Sequence, residues 1–130
     1  MTTRAKISTK GFEEYLEKLA QAGKDIDLSI HRALDAGADV GVAGMRRRVP
    51  KDTHNLERHI GKTEVKQDGN YSYIEIGILN ADVDTARYGN AQEYGTSSMP
   101  AQPYIRPTMK EDAGKIKKAM KNSLIEDGKL

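Results

Sequence analysis

Glu93-Tyr94-Gly95-Thr96-Ser97-Ser98-Met99-Pro100-Ala101-Gln102-Pro103-Tyr104-Ile105-Arg106-Pro107 holds three of the chain's four prolines within eight residues. Each proline locks its own φ and biases the residue before it toward extended backbone, here Met99, Gln102 and Arg106. Gly95 permits a turn at the start. The expectation is a stiff, extended arm with no helix until after Pro107. The arm carries Tyr94, Met99, Tyr104 and Ile105 as apolar contact area, and Gln102 and Arg106 as directional hydrogen-bonding groups. Such a segment docks against its own fold or against a neighbour, and the sequence leaves both open.

C-terminal to the arm, Met109, Ala113, Ile116, Met120 and Leu124 recur at helical spacing among lysines, which predicts an amphipathic helix ending near Gly128. N-terminal to it, Arg87–Tyr94 fits a third strand or a short helical turn, and Asn80–Thr85 reads as a loop. Tyr71–Leu79 alternates, with Ile74, Ile76 and Ile78 on one face and Tyr73 and Glu75 on the other. Together with Thr63–Gln67 it brackets Asp68-Gly69-Asn70, a hairpin signal. Pro50–Ile60 is polar and turn-rich. A helix is expected from Asp25, as cap, to Val49, where Pro50 ends it. A shorter one runs over Gly11–Ala22 with Gly23 as its stop, and residues 3–9 suit a short edge strand. The long helix is unusually small in its middle, at Ala36, Gly37, Ala38, Gly41, Ala43 and Gly44. Glycine costs about 1 kcal/mol relative to alanine in a helix interior, so close approach of a sheet or a neighbouring subunit is expected in compensation, the alternative being an imperfect surface helix. Asp35 and Asp39 disfavour a membrane span for this helix.

The chain of 130 residues reads as one domain, 1–130, of α+β class. Long N-terminal helices pack on a small, mainly antiparallel sheet, followed by the arm and the C-terminal helix. One Phe and no Trp imply a thin core of Ile, Leu, Val, Ala and Tyr, for which oligomerisation is a common remedy. The 21 basic and 19 acidic residues leave a net charge of +2, too weak a bias for a dedicated nucleic-acid binder. Zero cysteines remove disulfides, thiolate catalysis and Cys-based zinc sites. No apolar run approaches the ~20 residues of a membrane span, and the first residues lack the apolar core of a secretory signal.

Candidate chemistry is sparse. His54 and His59 stand five apart without an acidic partner at zinc spacing, and no elbow glycines surround Ser97 or Ser98. Neither a catalytic centre nor a cofactor or metal site is expected. A small hydrolase would need a histidine brought to Ser97 or Ser98. Arg46-Arg47-Arg48 reads in two ways: clustered arginines neutralise nucleic-acid phosphate, and cations in a last helical turn oppose the dipole's negative end. Pro100 to Pro103 matches a proline-rich ligand pattern, but its apolar flanks favour structural docking.

Three segments together resemble one family. Val49-Pro50-Lys51-Asp52-Thr53-His54-Asn55-Leu56-Glu57-Arg58-His59-Ile60 is similar to its A-P-x-D-T-G-x-L-x-x-S-I signature, with His54 in place of Gly and His59 in place of Ser. Glu93-Tyr94-Gly95-Thr96 is similar to E-[FY]-G-T. Met99 to Pro107 is similar to M-P-A-Q-P-[FY]-[LI]-R-P. This is the head–tail connector family of long-tailed double-stranded DNA phages, whose members are labelled neck, tail-completion or tail-component proteins. The resemblance implies a structural virion-assembly protein of the head–tail junction, made in the host cytoplasm. It would form a homo-oligomeric ring, or dock on one, around the DNA passage, with portal-side connector and tail-end proteins as partners. The arm residues Tyr94, Thr96, Met99, Pro100, Gln102, Tyr104, Ile105 and Arg106 would then supply interfaces, and Arg46, Arg47 and Arg48 would line a DNA channel. His54 at a glycine position implies either a different turn or a tolerated positive φ. The rival function is a nucleic-acid-binding module using Arg46–Arg48 and the C-terminal lysines.

Overall fold

The computed structural model describes residues 3–51 and 54–129, so Asp52 and Thr53 of the first signature lie outside the described residues. Strand β1 (Arg4–Ser8) leads to helix α1 (Glu13–Gln21) and the long helix α2 (Ile26–Arg48). A short helix α3 (Asn55–His59) precedes β2 (Ile60–Lys62), β3 (Lys66–Asp68) and β4 (Tyr71–Ile78). Helices α4 (Val83–Tyr94), α5 (Ile105–Glu111) and α6 (Ala113–Asp127) complete the chain. This is the expected α+β architecture: an antiparallel sheet, long helices packed on it and a C-terminal helix.

Strand β4 organises the sheet. It pairs antiparallel with β1 on one side, Ile7 opposite Ile74, and with both β2 and β3 on the other. The edge strand expected over residues 3–9 is β1. The first arm of the hairpin departs from Thr63–Gln67. Lys62 pairs with Ile76 and Lys66 with Tyr73, so four steps on one strand match three on the other. One extra residue is absorbed between β2 and β3 as a bulge, with Thr63 Oγ1 accepting from the Glu75 amide at 3.0 Å. Pro50–Ile60, read as turn-rich, contains α3, which seats the buried Leu56.

Ile74, Ile76 and Ile78 turn inward to meet α2, and their side chains are buried with Ile7, Leu34, Ala38, Val42 and Met45. Asp25 caps α2 by accepting from the Leu28 amide at 3.1 Å, and Val49 and Pro50 follow its end as expected. The small residues of α2 serve close packing within the subunit. Gly37 faces Met120 and Ile116 of α6, Gly41 faces Ile76 of β4, and Gly44 faces Asp112 and Thr108. Their i, i+4, i+7 spacing puts all three on one stripe, so β4, α6 and the α5–α6 junction approach along a single face. Ile116, Met120 and Leu124 of α6 are buried against it.

Two expectations about helix starts need correction. Arg87–Tyr94 is neither strand nor single turn: α4 begins at Val83 inside the expected Asn80–Thr85 loop. Asp82 caps it, accepting from the Thr85 amide at 3.2 Å and the Thr85 hydroxyl at 2.6 Å. The Thr85 hydroxyl and amide hold the Asp82 carboxyl below its ordinary value. The C-terminal helical region begins at Ile105, not after Pro107. Pro107 is its third residue, where the missing N–H has no intrahelical carbonyl to lose. Arg106 is helical despite preceding a proline, because its amide and side chain have another partner. The helix also breaks at Asp112 into α5 and α6.

Candidate functional site

The signature segment joins α4 to α5, and its geometry follows from one side chain the sequence reading did not single out. Glu93, in the last turn of α4, is 0% exposed. Its Oε1 accepts from the backbone amides of Tyr104 at 2.9 Å and Ile105 at 2.7 Å. Its Oε2 accepts from the Arg106 amide at 3.0 Å and from Arg106 Nε at 2.8 Å. The Arg106 guanidinium also donates to the Glu93 carbonyl. A carboxylate from one helix thus satisfies the orphan first-turn amides of the next, in place of a local cap, and its charge sits at the positive end of α5. Burial pushes the Glu93 carboxyl up. The donors from Ile105, Tyr104 and Arg106 outweigh that and hold it below its ordinary value.

Tyr104 is likewise 0% exposed. Its hydroxyl donates to the Gly89 carbonyl at 2.9 Å, and its carbonyl accepts from Thr108 Oγ1 at 2.7 Å. A Cβ on Gly89 would stand 3.0 Å from that hydroxyl, so the glycine makes room for the ring. Burial, then the Glu93 charge, raises the Tyr104 phenol far above its ordinary value. The far end of α5 is closed by a second buried carboxylate. Asp112 accepts from Arg48 Nη1 at 2.8 Å and Arg47 Nη2 at 3.1 Å, while Arg48 also reaches Glu111 at 3.0 Å and Thr108 Oγ1 at 3.0 Å. The Arg48 hydrogen bond pulls the Asp112 carboxyl down against the cost of its burial, and Asp112 in turn raises Arg48.

Between Glu93 and Tyr104 the chain forms a narrow loop. Gly95 takes φ +78, and a Cβ there would lie 3.0 Å from the Ala101 amide nitrogen. Thr96 and Met99 exchange backbone hydrogen bonds, Thr96 N to Met99 O at 2.9 Å, and the Gln102 amide donates to the Gln92 carbonyl at 2.7 Å. The predicted interface residues therefore separate into two sets. Tyr104 and Ile105 are buried inside the subunit. Tyr94 (59% exposed), Thr96, Pro100, Gln102 and Arg106 face outward, with Met99 half-buried. The Arg106 guanidinium lies 4.9 Å from the centre of the Tyr94 ring and so spans the two sets. Beneath the loop, the buried Gln92 side chain reaches Met99 Sδ at 3.9 Å, and among the described residues its Oε1 has no hydrogen-bond partner.

The arginine cluster is tied into the subunit. Arg46 donates to the Ile60 carbonyl at 2.9 Å, joining α2 to β2, and Arg47 and Arg48 hold Asp112. Among the described residues no group of acidic and histidine side chains could hold a metal ion, and no helix is long and apolar enough to cross a membrane. His31 Nδ1 meets the Asp27 carbonyl, His59 Nδ1 the Asn55 carbonyl and His54 Nδ1 the Glu57 carboxylate. Among the described residues no histidine hydrogen-bonds Ser97 or Ser98; the Ser98 hydroxyl sits 3.4 Å from the Thr96 hydroxyl. His54 adopts φ 59, the tolerated positive φ at a glycine position.

Sequence reasoning missed Glu93 and Asp112 as organising groups. The signal for Glu93 was present: it leads the E-Y-G-T segment and lies four residues after Gly89 in what proved to be one helix. No curated protein and no solved structure gives a significant match to the chain. Residues 10–95 match a phage family profile that covers α1 to the end of α4. That match spans well over half of the chain, which belongs to the family described as "Bacteriophage HK97-gp10, putative tail-component".

Proposed function

We propose that this tail-component protein acts, as one domain over 1–130, at the head–tail junction, in the neck or tail-completion layer of the virion. It forms a homo-oligomeric ring there, or docks on one, around the DNA passage, after assembly in the host cytoplasm. One observation carries the reading: exposed apolar side chains gather on the outer face of α4 and the adjoining loop. Val83 is 65% exposed, Tyr88 41% and Tyr94 59%, and Ala81, Val83, Ala86 and Arg87 line a hollow of about 320 Å³. Thr96, Met99, Pro100, Gln102 and Arg106 continue that surface, on a loop whose ends the Glu93 hydrogen bonds hold fixed. A rigid aromatic patch loses little entropy on docking, which suits a contact between virion proteins.

The test is mass in solution, for the chain alone and with candidate portal-side connector and tail-end proteins. Association with one of them that Tyr94→Ala and Met99→Ala weaken supports the reading. A strictly monomeric chain that binds neither partner overturns it.

The second reading is contact with passing double-stranded DNA. Arg46, Arg47 and Arg48 enter it with their guanidinium groups already bonded within the subunit. Among the described residues, Lys117, Lys118 and Lys121 of α6 form no ion pair with an acidic side chain, and this favours α6 as the cationic surface. Neutralising all three arginines without loss of DNA retention in assembled particles would remove them from this role. Salt-independent behaviour of the Lys117/Lys118/Lys121 face would remove α6.

A further inference from the structure

A groove of about 410 Å³ runs along β1. Ile7, Phe12, Met109, Ile116 and Met120 give it an apolar floor, and the opposite wall is the α5–α6 junction. Lys10 and Lys117 stand at its rim, and among the described residues neither forms an ion pair with an acidic side chain. Among the described residues β1 is the end strand of the sheet and pairs with β4 alone. The Thr9 amide donates to the Ser72 carbonyl at 3.0 Å, and the Ile78 amide donates to the Thr3 carbonyl at 3.1 Å. In an antiparallel ladder this parity turns the odd-numbered backbone groups of β1 toward β4. The N–H and C=O groups of Arg4, Lys6 and Ser8 therefore face outward, unpaired by any strand.

Charged side chains on an edge strand commonly guard it against pairing. Lys6 does not do so here. Its ammonium lies over the Tyr73 ring, 4.2 Å from the centroid, and 3.6 Å from Asp68. These partners lie on β4 and β3, so the Lys6 ammonium leans across the face of the sheet, while the residue itself lines the groove beside the edge. An open edge, an apolar floor and two unpaired lysines in one place define an occupant of definite chemistry.

We infer that this groove binds an extended acidic segment of a partner protein, which adds as a strand to the free edge of β1. Its backbone pairs with Arg4, Lys6 and Ser8. Alternate side chains of that segment enter the apolar floor, and its carboxylates meet Lys10 and Lys117. The surface is separate from the α4 loop, so the inference stands apart from the docking proposed there.

The probe is a capped ten-residue synthetic peptide alternating Glu and Val, added to the full chain and followed by backbone amide NMR. A Lys–Val peptide and a short DNA duplex serve as the comparison. The expected result is shifted, exchange-protected amides at Lys6 and Ser8 by about 1 mM peptide, the range of weak single-segment binding. Lys10→Glu with Lys117→Glu should weaken that binding roughly tenfold through charge repulsion. Lys6→Pro, which removes one outward edge donor, should abolish the shift at Ser8. Should Lys6→Pro fail to fold, the Lys10/Lys117 pair still decides. Unmoved β1 amides, equal binding of the Lys–Val peptide, or DNA displacing the acidic peptide would each overturn the inference.

Discussion

The two halves of the proline-rich signature are adjacent in sequence and opposite in environment. Residues 104–111 are held by a buried carboxylate, a buried phenol and a buried threonine. Residues 95–102 make a loop whose hydrogen bonds are nearly all local and whose side chains mostly face water. One segment therefore carries two separable duties. Its second half locks α5 to α4 and, through Asp112, to α2, while its first half is left as surface. A motif recognised as a single string need not act as a single site.

The largest effect should come from the lock. Glu93→Gln replaces two acceptor oxygens by one acceptor and an amide donor facing Arg106 and three backbone N–H groups. Leaving buried donors unpaired should destabilise the chain by about 3 kcal/mol in denaturant unfolding. An unchanged midpoint would mean that α5 is held without Glu93. Next, Gly44→Ala should destabilise by about 1–2 kcal/mol. The new Cβ displaces the Asp112 carboxylate and meets Thr108 Cγ2 at 2.9 Å, which outweighs the roughly 1 kcal/mol of helix propensity regained.

Acid should separate the halves more gently. Glu93 and Asp112 have folded-state values below their ordinary 4.5 and 3.8, so their stabilisation is complete above those values. It is lost as pH falls through the depressed folded values. The wild type should therefore lose stability on acidification from about pH 4.5 downward. Glu93→Gln should show a shallower loss over that window. Identical acid profiles for the two proteins would contradict the sign of the Glu93 shift. The smallest effect on stability belongs to the loop. Tyr94→Ala combined with Thr96→Ala should shift unfolding by no more than about 0.5 kcal/mol, as exposed substitutions do. The same pair should impair association with virion partners. A large stability loss would erase the contrast between the halves.

Much of this fold is written locally. Asp25 and Pro50 bound α2, Gly23 stops α1 with Lys24 N bonded to Leu19 O at 3.0 Å, and the Ile74–Ile78 alternation sets β4. The glycines of α2 announced close packing, though nothing local told β4 from α6 as the partner. What escaped was written between distant residues. The start of α5 at Ile105 depends on a carboxylate twelve residues earlier, so the proline-based expectation of extended chain through Arg106 was overridden by tertiary hydrogen bonding. The helical state of Arg87–Tyr94 depends on the Asp82 cap and on Gly89 receiving Tyr104. In sequence Tyr104 and Ile105 look like the same kind of contact residue as Tyr94, because apolar character alone does not distinguish a buried anchor from an exposed patch.

The most direct test is hydrogen exchange at backbone amides, read in the isolated chain and in assembled particles. The amides of Tyr104, Ile105 and Arg106 should be protected to the level of global unfolding in both states. Those of Ser97, Ser98 and Ala101 should exchange quickly in the free chain and slow on assembly. Fast exchange at Tyr104–Arg106 in the free chain, or a loop indifferent to assembly, would contradict the division of the signature into an internal lock and an external contact.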